Sequence, residues 1–216
     1  MGTIKQGILG GFSGKVGTVI GGSWKGIAYM RSIAQSVKNP RSAKQVAHRA
    51  KFIMLIDLLK QFSDFIAISF KEYAKKMSEF NAAFQINYNN GIISGTYPSL
   101  TVDASKLVVA RGSLTGVPSA TAEINSGMIK TSWTDNTGEG DASADDKVLL
   151  VFYNTAKDQI VANANTGKTR SNGSYSTTIV EAWGGDTVAC YLAFRKADGS
   201  AVSDSVYAGT VTHPSE

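Results

Sequence analysis

Ten side chains near the start of the chain have the types and spacing to grip an anion: Lys15, Trp24, Lys25, Arg31, Lys38, Arg41, Lys44, His48, Arg49 and Lys51. Cations that recur every few residues, with Trp24 and Tyr29 between them, suit backbone phosphates and base stacking. No carboxylate precedes Asp57 to neutralise them. Lys44, His48 and Lys51 also share one stripe of a helix, at offsets of four and seven. Two other readings of the same charges stay open. They could form a solvated face whose aliphatic stems pack over a neighbouring subunit, or they could be drawn to an acidic protein surface or lipid headgroups.

Other chemistry is poorly provided for. Closely spaced glycines at the start could let backbone N–H groups cradle a phosphate. However, Gly14-Lys15 is followed by Val16 where Ser or Thr would hold magnesium, and Leu9 stands where the first glycine of a phosphate loop belongs. The run from Asp135 to Asp146 has the length of a calcium loop, with ligand candidates Asp135, Thr137, Glu139, Asp141 and Ser143 and an acid at the twelfth position. It departs from that pattern at Thr137, at the short Asp146 and in its strand-like flanks, so a solvated inter-strand loop is expected. With only His48, His213 and Cys190, neither a zinc cluster nor a hydrolytic triad can be assembled. Asp145 and Asp146 are adjacent on extended chain and point apart. A non-enzymatic protein without cofactor or metal is the expectation.

Charge is strongly polarised. Residues 1–90 carry 13 basic and 4 acidic side chains, and residues 91–216 carry 9 and 13. Such asymmetry is a statement about partners. No apolar stretch approaches the roughly 20 residues that span a bilayer, so no transmembrane segment is expected. Gly7 to Phe12 is too short and too glycine-rich for the core of a secretory signal. A cytoplasmic or virion-associated location is therefore expected over a secreted one. The single Cys190 excludes an internal disulfide and should be a buried thiol.

The periodicity that must position these residues changes along the chain. Residues 15–20 and 23–33 flank Gly21-Gly22 and read as a β-hairpin turning on those glycines. Ser42 can cap a helix from Ala43 to Phe62, Ser63 with Asp64 offers a second start and Ser78 with Glu79 a third, and Asn89-Asn90-Gly91 ends the helical region. Beyond Gly91 the period becomes two. Strands are expected at 106–110, 120–125, 128–133, 147–153, 175–180, 187–194 and 206–211. Trp133, Tyr153 and Tyr191 are expected to face inward from both sheets of a sandwich. The fold class is α+β: a basic glycine-rich β arm (1–41), a helical segment (42–91) and an antiparallel β-sandwich (92–216).

Trp133, Val148 to Tyr153 and the run Tyr191 to Ser205 resemble strands of a fibronectin type III or immunoglobulin-like module, over roughly residues 118 to 212. The whole chain is similar to an uncharacterised family of small bacterial and phage-associated proteins. The likeness rests on Gly10 to Gly17, Trp24-Lys-Gly, Asn39 to Gln45, Arg49 to Phe52 and Trp133 to Asn136. This resemblance implies the pairing of folds and transfers no activity. The function expected from the residues is structural: a subunit of a larger particle or filament, coupled to copies of itself or to an assembly partner through the basic arm. The first alternative is a nucleic-acid-binding protein without sequence preference, using the arm and first helix. A second is an adhesion-type module binding through the loops at 135–146 and 166–174.

Overall fold

Two hairpin turns, at Gly17-Thr18 and Lys25-Gly26, fold the N-terminal region into a four-stranded antiparallel ribbon in the computed structural model, which describes residues 2–4, 10–36, 39, 41–178 and 181–212. The strands are β1 (Thr3–Ile4), β2 (Phe12–Val16), β3 (Val19–Trp24) and β4 (Ile27–Ser32), in that order across the sheet. Lys25 and Gly26 have φ of 48° and 84°, the two positive values that a tight primed turn demands. The expected turn at Gly21-Gly22 is corrected: both glycines lie inside β3. Close approach explains them. A Cβ on Gly21 would sit 2.2 Å from the Phe12 carbonyl oxygen, and one on Gly22 would sit 2.9 Å from the Tyr29 hydroxyl.

Residues 1–42 form one compact unit and residues 43–216 a second. The second begins with α1 (Ala43–Lys60), α2 (Ser63–Ser69) and α3 (Glu79–Asn89). The Ser78 hydroxyl accepts from the Asn81 N–H at 3.3 Å and starts α3, as the sequence predicts. A small hairpin of β5 (Ile93–Thr96) and β6 (Ser99–Val102) follows, which the sequence reading missed. The expected strand at 106–110 is not one. A single 3-10 turn covers Ala104–Lys106, and the chain then runs extended beneath the helices. Fully buried Asn87 of α3 holds it there, its amide bonding both the Val108 N–H (2.8 Å) and carbonyl (2.9 Å) as a neighbouring strand would.

Seven further strands complete the fold: β7 (Ala120–Asn125), β8 (Met128–Trp133), β9 (Lys147–Asn154), β10 (Gln159–Asn163), β11 (Ser174–Thr177), β12 (Thr187–Arg195) and β13 (Val206–Thr212). They make one sheet ordered β10-β9-β12-β13 and another ordered β11-β8-β7, the fibronectin type III-like sandwich expected. The expected strand at 175–180 is seen from Ser174 to Thr177, and residues 179–180 lie outside the described residues. Two cores flank the larger sheet. Val148, Leu150, Phe152, Cys190, Leu192 and Phe194 meet Trp133 and Ile129 between the sheets. Leu149, Val151, Tyr153, Ala189, Tyr191 and Ala193 turn the other way, onto Leu55, Leu59, Phe62, Phe65 and Phe70 of the helical region. Tyr153 and Tyr191 therefore do not share the inter-sheet core with Trp133 as expected. The helices form a third layer, and their apolar face requires a matching one on the sheet.

Candidate functional site

Cross-strand register sorts the side chains of the ribbon onto two faces, because residues directly opposite each other project the same way and neighbours along a strand alternate. Lys15, Ile20 and Arg31 form one row, Gly22 and Tyr29 the next, and Trp24 and Ile27 a third. All three rows share a face. Lys15 and Arg31 are separated by two strand spacings, about 10 Å. Tyr29 lies across Gly22, and the Lys25 ammonium sits 5.9 Å from the Trp24 ring. On the opposite face Val16, Val19 and Ser32 make one row, Gly14, Gly21 and Met30 another, and Ser23 and Ala28 a third. The Phe12 ring packs where a Gly21 side chain would be, so it belongs to this second face. Among the described residues, one face is cationic and aromatic and the other carries no charge.

Among the described residues, both faces leave large apolar side chains open. Trp24, Ile27 and Met30 are 70%, 71% and 72% exposed, and Val16 is 54% exposed. Of the ten anion-gripping candidates, Lys15, Trp24, Lys25 and Arg31 are brought together on the ribbon. Lys38 lies outside the described residues, and Arg41 is exposed ahead of α1. Lys44, His48, Arg49 and Lys51 belong to α1, in the other unit. His48 Nε2 shares a 2.6 Å hydrogen bond with the Tyr88 hydroxyl of α3, and Phe52 packs 4.5 Å from Phe84. That histidine is thus tied to a structural contact between helices. Gly14-Lys15 sits within β2 rather than ahead of a helix, so the phosphate-loop geometry already rejected by motif is absent here.

The acidic loop spends its carboxylates locally. Asp135 accepts from the Thr137 hydroxyl and N–H, which holds its pKa below the usual range. Asp141 accepts from the Thr115 N–H (2.8 Å) and hydroxyl (2.7 Å), with the same effect. Asp146 is buried against Arg170, whose Nε and Nη2 lie 3.1 and 2.9 Å from its Oδ2. Arg170 also donates to Asn136 Oδ1 (2.6 Å) and the Thr115 carbonyl (2.7 Å), with its guanidinium 4.1 Å above the Phe194 ring. Sequence reasoning overlooked this arginine. A lone Arg in a polar loop gives no signal of burial. Among the described residues no group of three or more His, Cys, Asp or Glu could hold a metal ion.

A cavity of about 530 Å³ lies beside α2 and is lined in part by Glu72, Tyr73, Met77 and Gln85. Glu72 is held below the usual carboxylate range by the Ser113 hydroxyl and N–H, so it serves there as an anchor for the 112–113 backbone. Cys190 is buried in β12, and its burial pushes the thiol up to about 12. Among the described residues no helix is long and apolar enough to cross a membrane.

Helices layered on a fibronectin-like sandwich, with a separate β ribbon at the N-terminus, define an α+β protein whose notable surface is that ribbon. The chain matches DUF6266, a family of unknown function, over residues 11–209 and belongs to it. No curated protein and no solved structure matches the chain.

Proposed function

We propose that this chain is a non-enzymatic structural subunit that joins copies of itself into a larger particle or filament through the ribbon of residues 3–32. The observation that carries the reading is the exposure of large apolar side chains on the ribbon. Strands that leave Trp24, Ile27 and Met30 more than two-thirds exposed gain stability only when another surface covers them. Charge supports a neighbouring copy as that surface. The ribbon has no acidic residue, whereas residues 91–216 carry 13 acids against 9 bases. Resemblance to phage-associated proteins makes a phage-derived particle the context proposed.

The test removes the ribbon. A chain beginning at Ala43 keeps both hydrophobic cores, so it should fold and scatter light as a monomer while the full chain assembles. Equal assembly by the two would refute the reading.

One observation favours a second function: Lys15, Arg31, Trp24 and Tyr29 share a face, an arrangement suited to phosphates and stacked bases. On that reading a single-stranded oligonucleotide binds with an affinity that falls steeply with salt, and Lys15→Glu with Arg31→Glu abolishes binding. Retained binding by that variant would exclude the ribbon as a nucleic-acid track.

A further inference from the structure

Resting on the assembly reading above, we infer that two copies of this chain join edge to edge, β4 beside β4 in an antiparallel register centred on Met30, so that their ribbons form one continuous sheet. β4 is the last strand of its sheet, and all six of its residues are exposed. Its backbone has two sides. The Ile33 N–H donates to the Thr18 carbonyl at 2.8 Å, in step with the pairing of Ile27 and Trp24, so Ile27, Tyr29, Arg31 and Ile33 bond to β3. Ala28, Met30 and Ser32 therefore turn their N–H and C=O groups outward, where nothing pairs with them among the described residues.

An open row of this kind is a template for another strand, and proteins usually blunt it with a lysine, a proline, a bulge or a cover. The second unit does so. Gln61, just beyond α1, lies along β10, donating to the Asp158 carbonyl and accepting from the Ile160 N–H, both at 2.9 Å. β4 has no lysine or proline, its register with β3 runs without a shift, and no side chain caps its outer edge among the described residues. The uncharged face of the ribbon is different. Cβ atoms on Gly2 and Gly11 would each come within 2.7 Å of the Val16 and Ala28 side chains, so the same chain already lies against that face.

The edge is complementary to itself. Centred on Met30, Ala28 faces Ser32 of the second copy and Met30 faces its own counterpart, so every outward residue named above is paired. Between them Arg31 comes opposite Tyr29 of the other copy, a cation beside an aromatic ring. Sliding the strands by one step either way leaves an outward residue unpaired on each edge. In one direction it also sets Arg31 directly against Arg31, which repels. Met30, 72% exposed in the single chain, gains its counterpart as a neighbour. Pairing of like edges closes about a two-fold axis, so the product is a dimer. The cationic face stays open on both ribbons and is free to meet the acid-rich region 91–216 of further copies.

Light-scattering mass of the full chain in high salt, where ionic contacts are screened, reads this pairing. The unaltered protein should be a dimer. Met30→Pro removes the central outward N–H and leaves the bonds to β3 in place, as an edge strand tolerates, so it should keep its far-ultraviolet circular dichroism and scatter as a monomer, a twofold loss of mass. A cysteine pair reads the register without relying on that variant. Tyr29→Cys and Arg31→Cys chains mixed in equal amounts should form a mixed disulfide on air oxidation faster than either chain with itself, Cys190 being buried. A monomeric unaltered chain, a Met30→Pro dimer as stable as the original, or disulfides formed equally fast in all three samples would overturn the inference. The failures are distinguishable: assembly by residues 43–216 alone removes the ribbon from the account, whereas a monomeric truncation beside a dimeric Met30→Pro removes only this edge.

Discussion

Replacing Arg170 by alanine should cost the second unit a large part of its stability, although the residue lies far along the chain from the ribbon. The side chain is fully buried, and its loss removes two bonds to Asp146, one to Asn136 and one to the Thr115 carbonyl. Among the described residues Asp146 would then keep only the Ser143 N–H on Oδ2, at 2.9 Å, while its buried Oδ1 already lacks a hydrogen-bond partner. Removing one member of a buried ion pair costs about 3–5 kcal/mol, because the remaining charge stays desolvated. At roughly 2–4 °C per kcal/mol for a domain of this size, the melting temperature should fall by roughly 6–20 °C. Urea unfolding followed by the fluorescence of buried Trp133 and Trp183 reads the loss directly. Arg170→Met combined with Asp146→Leu should lose less than the separate substitutions together, since the pair leaves no stranded charge. A loss below about 1 kcal/mol for Arg170→Ala, the range of ordinary surface changes, would refute the reasoning.

Acid should act on the same end of the sandwich through Asp141. Its carboxyl is held below the ordinary aspartate value of 3.8 by the Thr115 N–H first and hydroxyl second. A depressed folded pKa means that this stabilisation is complete above about pH 4 and disappears as pH drops through the lowered value. Asp141→Asn should therefore flatten the acid side of the stability profile, and an unchanged slope there would contradict the assignment. Cys190, with its thiol raised to about 12 by burial, should resist a thiol reagent at mildly alkaline pH until denaturant is added. Rapid modification of the folded chain would show that β12 is not enclosed. Gly21→Ala should disorder the ribbon, because its Cβ would meet the Phe12 carbonyl at 2.2 Å. Proteolysis should then cut within residues 10–32 while the melting of residues 43–216 stays in place; an uncleaved ribbon would mean that β2 can shift aside.

Local signals in the sequence are legible where one residue decides the outcome. Ser78 caps α3, Ala43 starts α1, and Ser126-Gly127, with φ of 52° and 76°, turns β7 into β8 where the expected strands part. The misreadings arise where two causes leave the same trace. Glycine serves positive φ and also close approach; at Gly21-Gly22 the second cause wins, because Phe12 and Tyr29 lie over the strand. Apolar runs such as Val148 to Tyr153 announce a buried strand, but a strand buried on both faces does not say which parity meets which layer. Tyr153 and Tyr191, expected between the sheets, thus face the helices instead. The cationic arm was visible as composition, yet its division into two faces depends on register across three strands, which no local pattern specifies.

The double burial of β9 has a practical consequence for watching this molecule at work. Leu149 faces the helices and Leu150 faces the second sheet, so two leucines one peptide bond apart sample different interfaces. Isotope-labelled methyl groups at these positions would act as paired reporters with a built-in control. A disturbance arriving by way of α1, which continues the chain from the ribbon, should move the Leu149 resonance first, and one entering through the Arg170 end should move that of Leu150.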